Sequence, residues 1–472
     1  MKKPLTIEMG IVRSKIIGDY PYSKTSNELS FRPEGYQFSP LYQRRLWDGR
    51  IRYLTKNHTF PSGLTIRLRD YLRSLGHPIT VKYMYTPPPA FQKKNINPQL
   101  NNMKARQYQL EAAWIAINQR RGVIKLPTGA GKTVVAVIII RTIGKRTLFL
   151  THKKDILHQT YDRFVDEFGK NRVGRIGDGI KEQGREITVG MVQTLIKLKN
   201  KRAVLDGIDV FIGDEIHHAA AKTWSRTISQ CKAMYRLGLT ATPFDGPRAM
   251  SLEAATGPVI YTAPVKELAD KGYLSLPEIV MSRITKPRVN PRFDYHQAFR
   301  AGIVDHSRRN KRIIAICQRL VRNRRGPVLV FSTTLDHLAK LMVVASNVGL
   351  NHEVLSGSDS SKTREKVKRT MKAGKLDVLF VSTIFDEGVD IPNVGSIIMA
   401  AVGKNKNKVI QRLGRGMRVA KNKKKFLVVD FWDDTCEYLL KHSTRRKNIY
   451  KKEGYDVFIG SLKGWLENQH NK

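Results

Sequence analysis

The sequence predicts an α/β protein: two tandem parallel-sheet domains preceded by a small α+β segment. Three observations carry that expectation. Beyond a proline-rich break, short apolar runs alternate with amphipathic stretches, the pattern of parallel strands joined by crossover helices. Those runs fall into two groups, separated by the stretch Thr285–Phe293 with its prolines Pro287 and Pro291. Ahead of the break, about ninety residues form a compact segment of their own. The chain has 472 residues, too many for one core, and length alone suggests about three domains. The expected division is 1–90, 97–280 and 281–472.

The break itself is Thr86-Pro87-Pro88-Pro89 followed by the polar stretch Gln92–Asn102, which reads as a linker. Strand candidates of the first group are Gly122–Leu126, Thr147–Thr151, Ile187–Gly190, Val210–Gly213 and Arg236–Leu239. Those of the second are Val328–Phe331, Glu353–Leu355, Val378–Val381, Ile397–Ala400 and Phe426–Asp430. Basic clusters at Arg308–Arg325, Lys404–Lys408, Lys421–Lys425 and Arg445–Lys452 are interrupted by uncharged residues, which points to helices or loops rather than disorder.

Composition narrows the partners. Lysine and arginine number 84 against 40 acidic residues, a net charge of +44. Such a field attracts polyanions through counterion release, so nucleic acid is the expected partner. An anionic membrane surface is the weaker alternative, since no apolar run reaches the length of a span and the start lacks an apolar signal core. Cys231, Cys317 and Cys436 lie far apart. That spacing argues against a disulfide framework, a zinc knuckle or a four-cysteine iron–sulfur cluster and suggests reduced thiols in a cytoplasmic setting.

Leu126-Pro127-Thr128-Gly129-Ala130-Gly131-Lys132-Thr133 follows a strand candidate and precedes the apolar run Val134–Ile140. Glycines let backbone N–H groups approach phosphates, and a helix that follows aims its positive end at them. Thr128, Gly129, Ala130 and Gly131 would thus cradle a polyphosphate. Lys132 can reach the β- and γ-phosphates, and the Thr133 hydroxyl can bind Mg²⁺. Leucine at 126 departs from the strict pattern, which has glycine there. Eighty-two residues after Lys132, the strand Val210–Gly213 runs into Asp214-Glu215-Ile216-His217. Carboxylates at the C-terminal end of a parallel strand stand where such sheets bind ligands. Asp214 can hold Mg²⁺, and Glu215 can orient and deprotonate an attacking water. ATP and Mg²⁺ are the expected ligands.

These motifs resemble superfamily 2 helicases. Asp214-Glu215-Ile216-His217 is similar to the DExH box of that superfamily, and Leu239-Thr240-Ala241-Thr242-Pro243 to its third motif. The resemblance implies two RecA-like domains, with His217, Thr240 and Thr242 coupling nucleotide state to domain closure. Arg106-Gln107-Tyr108-Gln109 is similar to the adenine-reading element, which gives Gln109 the adenine edge and Arg106 its support; a plain helix start is the competing reading. Gln411-Arg412-Leu413-Gly414-Arg415-Gly416-Met417-Arg418 resembles the family's arginine-finger motif. By that resemblance Arg415 and Arg418 are the fingers, while Gln411 and Arg412 line the nucleotide cleft. The stretch Val381–Asp390 is similar to the fifth motif, with Thr383 on nucleic-acid backbone and Gly388 and Asp390 facing the nucleotide. His152, Lys153, Gln193, Thr194 and Thr333 occupy strand exits where family members contact the backbone, and each also reads as a plain loop residue.

The amino-terminal stretch Phe31–Leu64 is similar to the accessory domain of UvsW-type bacteriophage helicases, which remodel branched DNA. Within it Trp47 and Arg50 read two ways: as a clamp that stacks on a strand, or as a core tryptophan beside a solvated hairpin face. The resemblance implies an ATP-dependent helicase acting on DNA forks, D-loops, R-loops and four-way junctions, in a host cell's cytoplasm. RNA helicase activity, duplex translocation without strand separation, and a non-hydrolysing nucleic-acid scaffold with a nucleotide switch stand as alternatives.

Overall fold

In a computed structural model, the protein is described for residues 3–96, 99–101, 103–216, 222–242, 249–382, 394–417 and 425–470. The chain folds into two compact units: 1–127 with 131–263, and 128–130 with 264–472.

The amino-terminal part of the first unit holds β1 (Leu5–Met9), β2 (Arg13–Ile17), β3 (Ser30–Phe31), β4 (Ile51–Arg52), β5 (Thr59–Pro61) and β6 (Ile79–Tyr83). Four of them form a sheet in the order β5-β2-β1-β6, and β3 pairs with β4. In β1, Leu5, Ile7 and Met9 are buried while Thr6 and Glu8 are less so, the alternation of a strand covered on one face. The cover is the helix Thr65–Ser74, whose Thr65, Leu68 and Leu72 recur at helical spacing and are buried.

The next strands are β7 (Arg121–Lys125), β8 (Thr147–Thr151), β9 (Val173–Gly177), β10 (Ile180–Lys181), β11 (Ile187–Met191), β12 (Val210–Asp214), β13 (Tyr235–Thr240) and β14 (Val259–Thr262). Among the described residues they make an eight-stranded sheet ordered β10-β9-β11-β8-β12-β13-β7-β14, parallel except for β10. All five residues of β8 and all six of β13 are buried, as expected of strands covered on both faces.

The amino-terminal part does not hang on a loose tether. Met250 of the helix Ala249–Thr256 belongs to its core cluster. Tyr53 Oη donates to Ser251 Oγ at 3.0 Å, and Arg67 donates from Nε and Nη2 to Glu253 Oε2 at 2.9 and 2.7 Å. The expected linker is itself pinned: Trp114 Nε1 and Asn118 Nδ2 donate to the Phe91 carbonyl at 2.9 and 3.0 Å. Arg120 Nη2 reaches the Pro88 carbonyl at 2.9 Å.

The second unit is built on β15 (Leu276–Ile284), β16 (Val328–Ser332), β17 (His352–Leu355), β18 (Val378–Val381), β19 (Ser396–Ala401), β20 (Lys425–Asp433) and β21 (Val457–Ile459). These strands run parallel in the order β17-β18-β16-β19-β20-β15-β21. Because β15 pairs with β20 along its whole length, residues 264–280 belong to this unit. The division therefore falls at Ala263/Pro264 and not at 280/281, and Thr285–Phe293 lies inside the second unit.

The basic clusters around 308–322 and 445–452 are helical, Ser307–Arg322 and Glu437–Lys452, and each sends one arginine inward. Arg309 Nε pairs with Asp433 Oδ1 at 2.8 Å, and Arg446 Nε with Asp430 Oδ2 at 2.8 Å, all four side chains at most 4 % exposed. Tyr450 Oη donates to the same Asp430 oxygen at 2.7 Å. These pairs fix the end of β20 in the sheet.

Candidate active site

The glycine loop leaves the C-terminal end of β7 and enters the helix Lys132–Ile143. Gly129 and Gly131 have φ of 85° and 80°, the left-handed region that glycine adopts without a Cβ penalty. Gly131 is the residue that opens the helix, so the first amide groups of Lys132 and Thr133 face the loop. The helix is buried from Val135 through Ile140, which holds its N-terminus rigidly against the sheet.

A buried strand, β12, ends at Asp214, and Glu215 follows in an unusual backbone conformation, φ 45°. A non-glycine residue there carries strain of order 1–3 kcal/mol, a feature concentrated at functional sites. Its carboxylate is brought to the glycine loop: Lys132 Nζ lies 3.3 Å from Glu215 Oε1, with the two side chains 13 % and 11 % exposed. β13 lies between β7 and β12 in the sheet and ties the two loops together. At its end, Thr240 accepts from the Leu126 amide through its carbonyl at 3.0 Å. Its hydroxyl donates to Glu215 Oε2 at 3.4 Å and accepts from the Thr242 amide at 3.1 Å. Thr240 thus touches the phosphate loop, the carboxylate and the segment beyond.

Sequence reading missed what seats the carboxylate loop. Gly213 of β12 and Gly238 of β13 stand directly opposite each other. A Cβ on either would fall 2.3 or 2.6 Å from the Ile216 side chain, so the two glycines form the slot that Ile216 fills. The signal was two glycines in strand interiors, where glycine marks a close approach.

Gln109 is buried, and its Oε1 accepts from the Arg106 amide at 2.9 Å, capping the helix Gln107–Gln119. Its Nε2 stands so close to Gly131 that a Cβ there would be 2.4 Å away. Tyr108 Oη bridges the two residues, 3.3 Å from Arg106 Nη1 and 3.4 Å from Gln109 Nε2. Arg106 and Gln109 are therefore placed beside the glycine loop, with Tyr108 as an addition.

In the second unit the helix Lys406–Gly414 carries Gln411 and Arg412, and Arg415 follows at its end. Gln411 is 3 % exposed, and neither Oε1 nor Nε2 has a hydrogen-bond partner among the described residues. A buried amide without partners is costly and calls for a ligand or water. Arg412 is buried and lines a pocket with Thr333 and Lys408.

Of the expected backbone contacts, His152 and Gln193 are brought together, with Gln193 Nε2 donating to the His152 carbonyl at 3.1 Å. Lys153 opens the helix Lys154–Phe168 at the same edge. Gln193 and Thr194 line a groove with Lys181, Lys197 and Lys199, three cations the sequence did not single out. Trp47 turns its polar edge inward, Nε1 donating to the Arg50 carbonyl at 2.7 Å, and Arg50 Nη1 donates to Ser30 Oγ at 3.0 Å. His217, Thr383, Gly388, Asp390 and Arg418 lie outside the described residues.

Among the described residues no group of three or more His, Cys, Asp or Glu is arranged to hold a metal ion. None of the described helices is long and apolar enough to cross a membrane. The three cysteines are free.

Comparison with known proteins adds three family matches. Residues 101–245 match the res subunit of type III restriction enzymes, 311–420 the helicase conserved C-terminal domain, and 19–82 the N-terminal domain of the DNA helicase UvsW. The chain is 23% identical to the ATP-dependent DNA helicase uvsW of Enterobacteria phage T4, over 92% of this chain and 94% of that one. It is 27% identical to putative helicase 22 of a Sulfolobus islandicus filamentous virus, over 75% of this chain and 68% of the relative. Among solved structures, T4 UvsW matches 97% of this chain and 99% of its own at TM-score 0.52 and 20% identity, a likeness of fold.

Proposed function

We infer that this chain, which belongs to the UvsW-like helicases of superfamily 2, is an ATP-dependent DNA helicase that unwinds and branch-migrates forks, D-loops, R-loops and four-way junctions. The observation that carries the reading is the meeting of Lys132 and Glu215 at the glycine loop, with Thr240 joined to both strand ends.

In this reading the amides that open the helix Lys132–Ile143 and the Lys132 ammonium hold the β- and γ-phosphates. Glu215 accepts the proton of the attacking water, and Arg415 with Arg418 stabilises the charge that develops on transfer. Gln109 and Arg106 read the adenine side, and Gln411 meets the nucleotide. Thr240 and Thr242, with His217, pass the state of the site onward. The donor set suits a magnesium ion: a hydroxyl at Thr133 and a carboxylate at Asp214 are hard oxygen donors. Mg²⁺ characteristically takes one or two carboxylates plus substrate phosphates rather than an all-protein cage. When bound it would neutralise phosphate charge.

Nucleic-acid backbone would lie across His152, Lys153 and the groove of Gln193, Thr194, Lys181, Lys197 and Lys199 on the first unit, and at Thr333 and Thr383 on the second. The net charge of +44 supports a polyanionic track. The test is strand displacement on a synthetic fork and a four-way junction with ATP and with a non-hydrolysable analogue. Products with ATP alone support the reading; a chain that hydrolyses ATP yet never displaces a strand contradicts it.

A second reading draws on the restriction-subunit match to residues 101–245. It is translocation along duplex without strand separation, and displacement of a third strand from a triplex without fork unwinding would favour it.

A further inference from the structure

The second unit carries a pocket in which two residues of the motor motifs, Thr333 and Arg412, meet residues outside them. It opens at the C-terminal ends of β16 and β19 and is lined by Tyr295, Thr333, Lys404, Lys408, Arg412 and His442. These two strands are neighbours at the point where strand order reverses, since β17 and β18 lie beyond β16 and β20 lies beyond β19. In open α/β sheets the crevice outside such a switch point is where ligands bind.

Two kinds of group converge there. Tyr295 begins a short helix, Tyr295–Phe299, fixed by Asp294 accepting from the Gln297 amide at 2.8 Å. Its ring is only partly exposed and packs against two others, with centroids 5.1 Å from His442 and 6.3 Å from Tyr438. In the same lining, Lys404 follows β19 and Lys408 stands in the first turn of the helix Lys406–Gly414, both exposed. Arg412 is buried with its guanidinium 5.5 Å over the Phe331 ring, a cation held in place. No aspartate or glutamate lines the pocket among the described residues. The His442 imidazole is pushed down to about 4, by burial first and then by Lys404, Arg446 and Arg445. It is a neutral ring in a positive field.

We propose that this pocket is a subsite for one unpaired nucleotide of single-stranded DNA, in which the base stacks on Tyr295 and the adjoining phosphate is held by Lys404 and Lys408. The proposal rests on the reading of the chain as a DNA motor and extends the contact expected at Thr333. A ring beside a cluster of cations suits a base that has left its stack, because every base has a π-face and within a duplex neighbouring pairs cover it. The stretch that supplies Tyr295 lies outside the motor motifs, so the subsite would belong to this chain rather than to the shared engine.

The experiment is equilibrium binding of the full chain, without nucleotide, to labelled oligothymidylate and to an abasic oligonucleotide of equal length, at several salt concentrations. Loss of one stacking ring weakens binding by about 5- to 150-fold. Tyr295→Ala is therefore expected to lose about tenfold or more on oligothymidylate and to bind the abasic strand as the unaltered chain does, with Tyr295→Phe restoring the difference. Lys404→Ala with Lys408→Ala is expected to weaken both strands alike and to flatten the salt dependence by roughly one to one and a half ions. Equal binding of oligothymidylate by Tyr295→Ala and the unaltered chain overturns the subsite, as does an equal loss on both strands. An unaltered chain that binds neither strand overturns the motor reading along with it.

Discussion

Lys132 and Glu215, eighty-three residues apart in sequence, meet at 3.3 Å between the glycine loop and the end of β12. Two charges this deeply covered are expensive to desolvate, and their mutual attraction offsets only part of that cost. Their retention is explained by chemistry: one group complements phosphate and the other accepts a proton. Glu215→Gln keeps the shape and removes the base. Nucleic-acid-stimulated hydrolysis should fall by about 10²–10⁴-fold while ATP affinity stays close to that of the unaltered chain. Steady-state turnover with a nucleotide-binding titration checks it, and near-normal turnover would remove Glu215 from the role of base.

Arg415 follows the helix of Gln411 in the second unit. Arg415→Ala should cut turnover by about 10³-fold or more, in keeping with arginine groups that act on transferred phosphoryl charge. Fork binding should remain nearly intact. Parallel loss of hydrolysis and fork binding would make it a structural or DNA-contacting residue instead.

The slot formed by Gly213 and Gly238 gives a steric prediction. In Gly238→Ala the new methyl group would stand 2.6 Å from Ile216 Cγ2, so the carboxylate loop must shift. Overpacking of this kind costs about 1–3 kcal/mol, and ATPase activity should fall further than stability does. Pairing Gly238→Ala with Ile216→Ala should recover part of both, because neighbouring substitutions couple. Chemical denaturation beside turnover measures this; purely additive losses would show that Ile216 does not respond to position 238.

The amino-terminal part is docked through Gly63, where an added Cβ would lie 2.0 Å from the Glu253 carbonyl oxygen. Gly63→Ala should loosen that docking, and cutting the Arg67–Glu253 pair with Arg67→Ala should do so more mildly. Limited proteolysis near residues 86–96 reports it directly. Stimulation of ATPase by single strands should survive, while junction processing declines. Unchanged junction processing in a chain that is readily cleaved there would make the docking irrelevant to function.

In the second core Asp430 accepts from both Arg446 and Tyr450. Asp430→Asn leaves a buried guanidinium without its counter-charge, and breaking such a pair typically costs about 3–5 kcal/mol. Urea unfolding should show a loss of unfolding free energy of that size, and a loss below about 1 kcal/mol would mean that the carbonyl groups around Arg446 suffice.

Much of this architecture was legible because its signals are local. Continuous apolar runs such as Thr147–Thr151 and Val378–Val381 became strands with the same limits. The strands that escaped notice lack that signature. β9 carries two glycines, β14 is mostly uncovered, and β15 begins Leu-Pro-Glu and includes Ser282 and Arg283. Missing β15 displaced the expected domain boundary. At the site, motif spacing gave Lys132 and Glu215, but the Ile216 slot depends on knowing that β12 and β13 are neighbours. The inward turn of Arg309 and Arg446 was hidden for a similar reason, since their partners lie 124 and 16 residues away.

The most direct test is ATPase activity of the unaltered chain with single-stranded DNA, duplex DNA, a four-way junction and RNA side by side, with Glu215→Gln as the control. DNA, and above all branched DNA, is expected to raise turnover severalfold in the unaltered chain and not in the variant. Turnover that no nucleic acid changes would contradict the assignment of the chain as a DNA-driven motor, and stimulation by RNA alone would move it to a different substrate.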